Sequence, residues 1–248
     1  MSDLPEPIPA ATLVLMRPQV DGAPELLMIE RTGDMVFAAG ALVFPGGRID
    51  PEDHDLARAL GRGGEHDAAK IAAVRETIEE TGLVPAFAAE APRQIRRGVA
   101  AGEALPALLA RHLDAIDLDA LTPFARWCPN FRETRRFDTL FFIAEAPAGA
   151  AEPEPAPGEA VRAFWATASE ILGEVDAGRA HVIFPTRRNL ERLARFASIA
   201  EAREDAARHP VRRITPWVEE RDGRPHVCIP ADAGYPVTSE PLETARRR

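Results

Sequence analysis

The chain has 248 residues, 46% of them hydrophobic and 28% charged, with a net charge of −9, the balance of a globular protein large enough for one sizeable core. A general nucleic-acid binder is expected to be basic, so that class is disfavoured; no apolar run approaches the length that spans a bilayer, so no membrane segment is expected. Met1 to Pro9 lacks the basic start and apolar core of a signal peptide, and Cys128 and Cys228 are the only cysteines, so free thiols in a reducing cytoplasm are expected.

After the tail at 1–9, Ala11 to Met16 and Leu26 to Glu30 read as strands around a turn at Asp21-Gly22. Ala41 to Phe44 continues the sheet into Gly46-Gly47, where paired glycines let the backbone turn sharply and approach a ligand. His54 to Leu60 reads as a short helix and Gly61 to Gly64 as a flexible connector. The next helix runs from Asp67 to Thr81, with Gly82 as its terminator. Across 88–115, apolar spacing through Leu105, Leu108, Leu109 and Leu113 predicts helices that would form a lid or a homodimer surface.

Leu121 to Trp127 and Arg136 to Ala144 read as two strands, the second apolar at nearly every position from Leu140 onward, as for a strand buried on both faces. Ala146 to Gly158, rich in Pro, Ala and Glu, reads as a mobile surface loop. A strand over Val161 to Ala166 and helices over Ala168 to Ala177 and Thr186 to Ala207 follow. His209 to Leu242 is Pro-rich, with short strands at Thr215 to Glu219 and His226 to Ile229. This order fits an α/β (α+β) fold in which a mixed sheet is sandwiched between helices. The main domain spans 10–208 with insertions at 54–69 and 88–115, followed by an extension over 209–248.

The helix over 67–81 carries the chemistry. Glu76, Glu79 and Glu80 lie at spacings i, i+3 and i+4, within an arc of about 100° on one helix face. Like charges so close destabilise a bare helix. A hard divalent cation would remove the conflict, because such ions prefer carboxylate oxygens. Ile71, Val74 and Ile78 fall on the opposite side, which leaves the carboxylates accessible while the apolar face packs. Arg75, one turn before Glu79, is placed to pair with it and fix its rotamer.

Read from Gly47 to Leu83, the sequence resembles the Nudix box, Gly-x5-Glu-x7-Arg-Glu-U-x-Glu-Glu-x-Gly-U, where U is usually bulky and aliphatic. Arg75-Glu76, Glu79-Glu80 and Gly82-Leu83 match, and Thr77 is polar at the first U. The first half departs from the pattern. Asp53 stands where the pattern has Glu, and 21 residues, 54 to 74, stand where it has seven. An enlarged box is similar to that of the Nudix motif nineteen branch, which includes coenzyme A diphosphatases. Trp127 and Arg135-Arg136-Phe137-Asp138-Thr139-Leu140-Phe141-Phe142 resemble that branch's second signature, although Cys128-Pro129 replaces its Thr-Pro.

The resemblance implies the Nudix fold and hydrolysis of a nucleoside diphosphate linked to another moiety. It implies Mg²⁺ or Mn²⁺ held by Glu76 and Glu80 with the carbonyl near Gly47. Glu79 is then a third ligand or the group that activates water, and Glu159 in the later loop is a base candidate from outside the box. Asp53 is a further ligand candidate. Arg31, Arg135 and Arg136 are candidates to hold substrate phosphates, against the alternative that they pair with some of the 39 acidic residues. Trp127 and Phe137 are base-stacking or core aromatics.

Leu27, Arg31, Gly40 and Phe44 to Gly47 fit an upstream pattern of coenzyme A diphosphatases, whereas Ile29, Thr32 and Val36 do not. The leading substrate is therefore coenzyme A or an acyl derivative. ADP-ribose, a nucleotide sugar or a dinucleotide is the enzymatic alternative, and a non-catalytic nucleotide-binding module is the alternative of another class. The box insertion is expected to loop away from the metal site as a solvent-facing excursion.

Overall fold

The computed structural model describes residues 5–33, 38–88, 90–129 and 136–246. The first half of the chain forms β1 (Ile8–Arg17), β2 (Glu25–Arg31), β3 (Leu42–Val43), β4 (Gly46–Arg48), α1 (Pro51–Ala59), α2 (Asp67–Thr81), α3 (Ala91–Ala100), α4 (Leu105–Arg111) and β5 (Thr122–Trp127). The second half forms β6 (Phe137–Glu145), β7 (Ala160–Thr167), α5 (Ala168–Asp176), α6 (Phe184–Leu193), α7 (Ile199–Arg208), β8 (Arg213–Ile214), β9 (Trp217–Arg221), β10 (Arg224–Cys228), β11 (Ser239–Pro241) and α8 (Leu242–Arg246).

The main sheet has the order β3-β2-β1-β6-β5-β8, with β4 paired to β1 and β7 to β2. It is mixed, since β1–β6 and β5–β8 are parallel and the other pairs antiparallel. Successive strand residues face opposite sides, and both sides are covered. Leu13, Leu15, Leu140 and Phe142 join the core under α2, while Val14, Met16, Phe141 and Ile143 join the core under α6. That double burial is why the run from Leu140 to Ala144 is apolar without alternation.

Helix α2 has the expected bounds, and Gly82 ends it with φ 67°. Ile71, Val74 and Ile78 are buried beneath it. Thr77, polar at an aliphatic position, is fully buried, and its hydroxyl donates to the Ala73 carbonyl at 2.7 Å. The polar group is therefore satisfied inside the helix and costs the core little.

Two expectations are corrected, the first in part. The box insertion is mostly exposed from His54 to Glu65, but it is not wholly solvent-facing. It takes in the second half of α1, whose Leu56 and Ala57 are buried in the core that α2 covers. The helix expected over Thr186 to Ala207 is two helices, because Ser198 accepts from the Glu201 N–H and starts α7 afresh. The segment 146–158 has no regular structure and is mostly exposed, as a surface loop, and it touches α2: Glu154 N–H donates to the Thr81 carbonyl at 2.9 Å and Ala156 N–H to that of Glu80 at 3.1 Å.

In the insertion at 88–115, Ile95, Leu105, Leu108 and Leu109 pack into the α2-side core. Residues 209–246 are built into the body. β8 extends the main sheet, β9 to β11 form a small second sheet, and Tyr235 is buried. The Tyr235 hydroxyl accepts from Trp127 Nε1 at 2.9 Å and donates to Asn189 Oδ1 at 2.8 Å, which ties the extension to β5 and α6. Cys128 and Cys228 are both buried and free. Among the described residues no helix is long and apolar enough to cross a membrane.

Candidate active site

The acidic face of α2 meets the paired glycines of β4. Gly46 and Gly47 lie opposite Thr12 and Ala11 of β1. A β-carbon on Gly46 would collide with the Ala11 carbonyl and the Thr12 main chain; one on Gly47 would collide with the Glu76 carboxylate. Only glycine lets this strand lie so close to both β1 and the acidic helix. The Gly46 N–H then donates to Glu80 Oε2 at 2.9 Å. Arg31, at the end of β2, places Nη1 3.9 Å from Glu80 Oε1, and its buried Nε has no hydrogen-bond partner among the described residues.

Arg75 organises the other side. Its Nε and Nη2 grip Asp53 Oδ1 and Oδ2 at 3.0 and 2.9 Å, and Nη2 also donates to the Arg48 carbonyl at 2.9 Å. Nη1 donates to Glu76 Oε1 and Glu79 Oε2, each at 2.9 Å. Burial works against the Arg75 charge, but the hydrogen bonds to Asp53 and the carboxylates of Glu76 and Glu79 outweigh it and raise its pKa. The candidate ligand role of Asp53 is corrected here. Asp53 is fully buried, with both oxygens on Arg75 and Oδ2 also accepting from the Asp50 N–H at 2.9 Å. It fixes Arg75, which in turn orients Glu76 and Glu79.

Burial disfavours the charged form of all three carboxylates. Burial pushes Glu76 up to about 7, with Arg75 opposing and Glu79 reinforcing. Burial pushes Glu80 up to about 8, with the Gly46 N–H opposing and Glu76 reinforcing. Glu79 is also raised, by burial first and against the pull of Arg75. Glu159, on the exposed turn before β7, adds to the negative field at both Glu79 and Glu80.

Among the described residues no three His, Cys, Asp or Glu side chains are gathered in ligating geometry. Arg75 draws Glu76 and Glu79 to itself while Gly46 holds Glu80. The donor set nonetheless fits a hard divalent cation, because carboxylate oxygens meet there and burial disfavours their charge unless a cation accompanies it. Since a ligating carboxylate must be ionised, binding of Mg²⁺ or Mn²⁺ at pH 7 is expected to expel about one proton per ion. Binding heats measured in buffers of different ionisation enthalpy would reveal this, and the dependence would vanish by about pH 9. Heats that do not vary with buffer at pH 7 would show the carboxylates to be ionised already.

The remaining candidates separate. Arg136 donates from Nε to Cys128 Sγ at 3.3 Å rather than to a site carboxylate. Arg135 and Val36 lie outside the described residues. Trp127 is buried in the core against Phe184 and Tyr235, so it offers no face to a base. His54 is exposed, and His66 packs edge-on against Phe142. A separate cavity of about 320 Å³ is lined by Phe124, Arg192, Arg208, Arg212 and Tyr235 among others. Arg192 is already paired there with Asp205 and Arg212 with Asp232, and none of the candidate site residues lines it.

No protein-family model matches the chain. A NUDIX hydrolase from Alicyclobacillus acidocaldarius superposes with a TM-score of 0.70 at 28% identity, over 82% of this chain and 97% of that one. A MutT NUDIX hydrolase from Burkholderia pseudomallei gives 0.42 at 14% identity over 75% and 98% of the two chains. The NUDIX domain of Shewanella oneidensis NrtR, solved with ADP ribose, gives 0.46 at 13% over 77% and 88%. The last two similarities are too low to carry an argument. The first shows that the chain has the Nudix fold, and together with the box residues it supports a Nudix pyrophosphohydrolase.

Proposed function

We propose that the protein is a metal-dependent hydrolase that cleaves the pyrophosphate of coenzyme A or acyl-coenzyme A. The observation that carries this reading is the crowding of Glu76, Glu79 and Glu80 against Gly46-Gly47 with the Arg31 guanidinium alongside. Glu76 and Glu80, with the main-chain carbonyl near Gly47, would hold Mg²⁺ or Mn²⁺. The bound cation would supply charge neutralisation for the pyrophosphate and a more acidic water.

The chain's own groups do the rest. Arg31, 3.9 Å from Glu80 and with a buried Nε that has no partner among the described residues, holds a substrate phosphate through charge-assisted hydrogen bonds. The Gly46 N–H keeps Glu80 turned inward. Glu79 is the most exposed of the three carboxylates and is the group placed to take the proton of the attacking water, with Glu159 the alternative from outside the helix. Water adds to phosphorus, the anhydride P–O bond breaks, and the leaving phosphate carries the electrons away. For coenzyme A the products are adenosine 3′,5′-bisphosphate (3′-phospho-AMP) and 4′-phosphopantetheine.

A non-catalytic binding module would have no need of three mutually repelling carboxylates, two of them at most 16% exposed. Substrate choice turns on the 3′-phosphate, which sets coenzyme A apart from ADP-ribose, nucleotide sugars and dinucleotides. The purified protein is to be assayed with Mg²⁺ or Mn²⁺ against a panel of such compounds, with products identified by mass. Coenzyme A is expected to be cleaved best. Its advantage over 3′-dephospho-coenzyme A should fall by about tenfold or more in Arg31→Ala or in Arg135→Ala/Arg136→Ala. Faster cleavage of ADP-ribose or a nucleotide sugar by the wild type would overturn the substrate and leave the chemistry standing.

A further inference from the structure

The carbonyls of the last helical turn have no intrahelical partners. In α2 that turn includes Glu80, and the chain leaves the helix at Gly82. The Glu80 and Thr81 carbonyls are taken by a segment far away in sequence, through the N–H groups of Ala156 at 3.1 Å and Glu154 at 2.9 Å. The sequence there is Pro153-Glu154-Pro155-Ala156-Pro157. Prolines occupy alternate positions, and the two residues between them are the donors.

This alternation has a physical consequence. Proline has no N–H and a fixed φ, and the residue before a proline is held in the extended region. Residues 152 to 157 are therefore restricted at nearly every bond before they touch the helix. In an extended chain alternate residues face opposite ways, so the prolines fall where no donor is needed. A stretch of low complexity is thus a stiff strap that loses little entropy when it docks. Pro153 is buried beneath it.

The far end of the strap is tied to the other half of the site. Glu159 N–H and Ala160 N–H both donate to the Ala156 carbonyl at 3.2 Å, closing a turn. The Glu159 carbonyl accepts from the Thr32 N–H at 3.1 Å. Ala160 is the sheet partner of Arg31. One short segment thus links the main chain of Glu80 to that of Arg31 and Thr32, the residues whose side chains stand 3.9 Å apart across the site.

We propose that the strap 153–160 is a positioning element for the reaction, its Glu154 and Ala156 N–H groups fixing the Glu80 turn of α2 against the Arg31 strand. It sets the separation between the cation-binding carboxylate and the arginine that receives a substrate phosphate. The inference rests on the pyrophosphohydrolase reading of the site. It goes beyond that reading by giving the loop a role through its main chain rather than through a catalytic side chain.

The test uses the full chain with Pro155→Gly/Pro157→Gly, Arg31→Ala and their combination. Hydrolysis and Mn²⁺ affinity are measured, the latter by the loss of the free-ion paramagnetic resonance signal. The strap variant is expected to lose about tenfold in kcat with KM changed by less than about threefold, since misplacement costs turnover more than capture. Mn²⁺ should bind about fivefold more weakly, because a loosened turn must be reordered by the ion. In the Arg31→Ala background the further loss in kcat should shrink to less than about twofold, because the two changes act on one arrangement. Pro157→Ala alone, a milder change, should give a smaller effect in the same direction and serves if the double variant does not fold. Unchanged kcat and Mn²⁺ affinity, or losses that multiply independently of Arg31, would overturn the proposal. If the wild type cleaves no pyrophosphate compound, the functional reading fails. The strap is then judged on Mn²⁺ affinity alone, where weaker binding supports it and equal binding overturns it.

Discussion

Glu80→Gln is expected to lower kcat/KM by about three orders of magnitude, a loss of about 4 kcal/mol in transition-state stabilisation. The fold should not notice the change. Glu80 is pushed up to about 8 by burial, so without a cation it is mostly the neutral acid at pH 7. Glutamine is neutral as well, and its amide oxygen can still accept from the Gly46 N–H that now bonds Oε2 at 2.9 Å. What glutamine cannot supply is the negative oxygen that a hard cation requires. The pH dependence follows from the same shift. Because the folded pKa values of Glu76 and Glu80 lie above the unfolded carboxylate value, the folded state holds the extra protons. Metal-free wild type should therefore lose stability as pH rises from about 5 to 8. The variant should lose less over that window, which thermal melts at several pH values would show. A fully active Glu80→Gln would remove the carboxylate from the account.

Arg75→Met should have the largest effect on stability, about 3–5 kcal/mol. Asp53 is fully buried and gives both oxygens to Arg75. Removing the cation leaves that carboxylate without its partner in the core, where an unpaired charge is costly. Glu76 and Glu79 lose the same anchor, so activity should fall as well. Arg75→Lys should rescue only part of this, since an ammonium cannot make the bidentate contact or reach all five acceptor atoms on Asp53, Glu76, Glu79 and Arg48. Asp53→Ala/Arg75→Met removes both charges and should be less destabilised than Arg75→Met alone. Urea denaturation of the four proteins measures all of this. A cost below about 1 kcal/mol for Arg75→Met would show that the buried pair contributes little.

The parts of the fold and site that could be read from sequence are those governed by local periodicity. The 3.6-residue spacing of Ile71, Val74 and Ile78 marked one packed face of α2, and Gly82 marked its end, but the expected accessibility of the carboxylate side did not hold, because Arg75, Thr77 and Glu80 are buried as well. The unbroken apolar run of β6 announced burial on both sides. Some of the rest is also written locally. Ser198-Ile199-Ala200-Glu201 is a helix-start pattern that divides α6 from α7. Asp53 sits at the acidic position of the box, one carbon short of the usual Glu, and its contact is Arg75. Other features depend on distant partners. The junction of Trp127, Asn189 and Tyr235 joins positions up to 108 residues apart. The strap acts through main-chain N–H groups, which no side-chain pattern reports, so its composition alone suggested a mobile loop.

The central claim is that Glu76 and Glu80 of α2 hold a divalent cation, with Glu79 beside it, for cleavage of a pyrophosphate. The most direct measurement is hydrolysis of coenzyme A by protein stripped of metal and then titrated with Mg²⁺ or Mn²⁺, with products followed by mass. The account predicts no turnover in excess chelator, and appearance of adenosine 3′,5′-bisphosphate with 4′-phosphopantetheine as the ion is restored. Turnover that persists undiminished in excess chelator would contradict it.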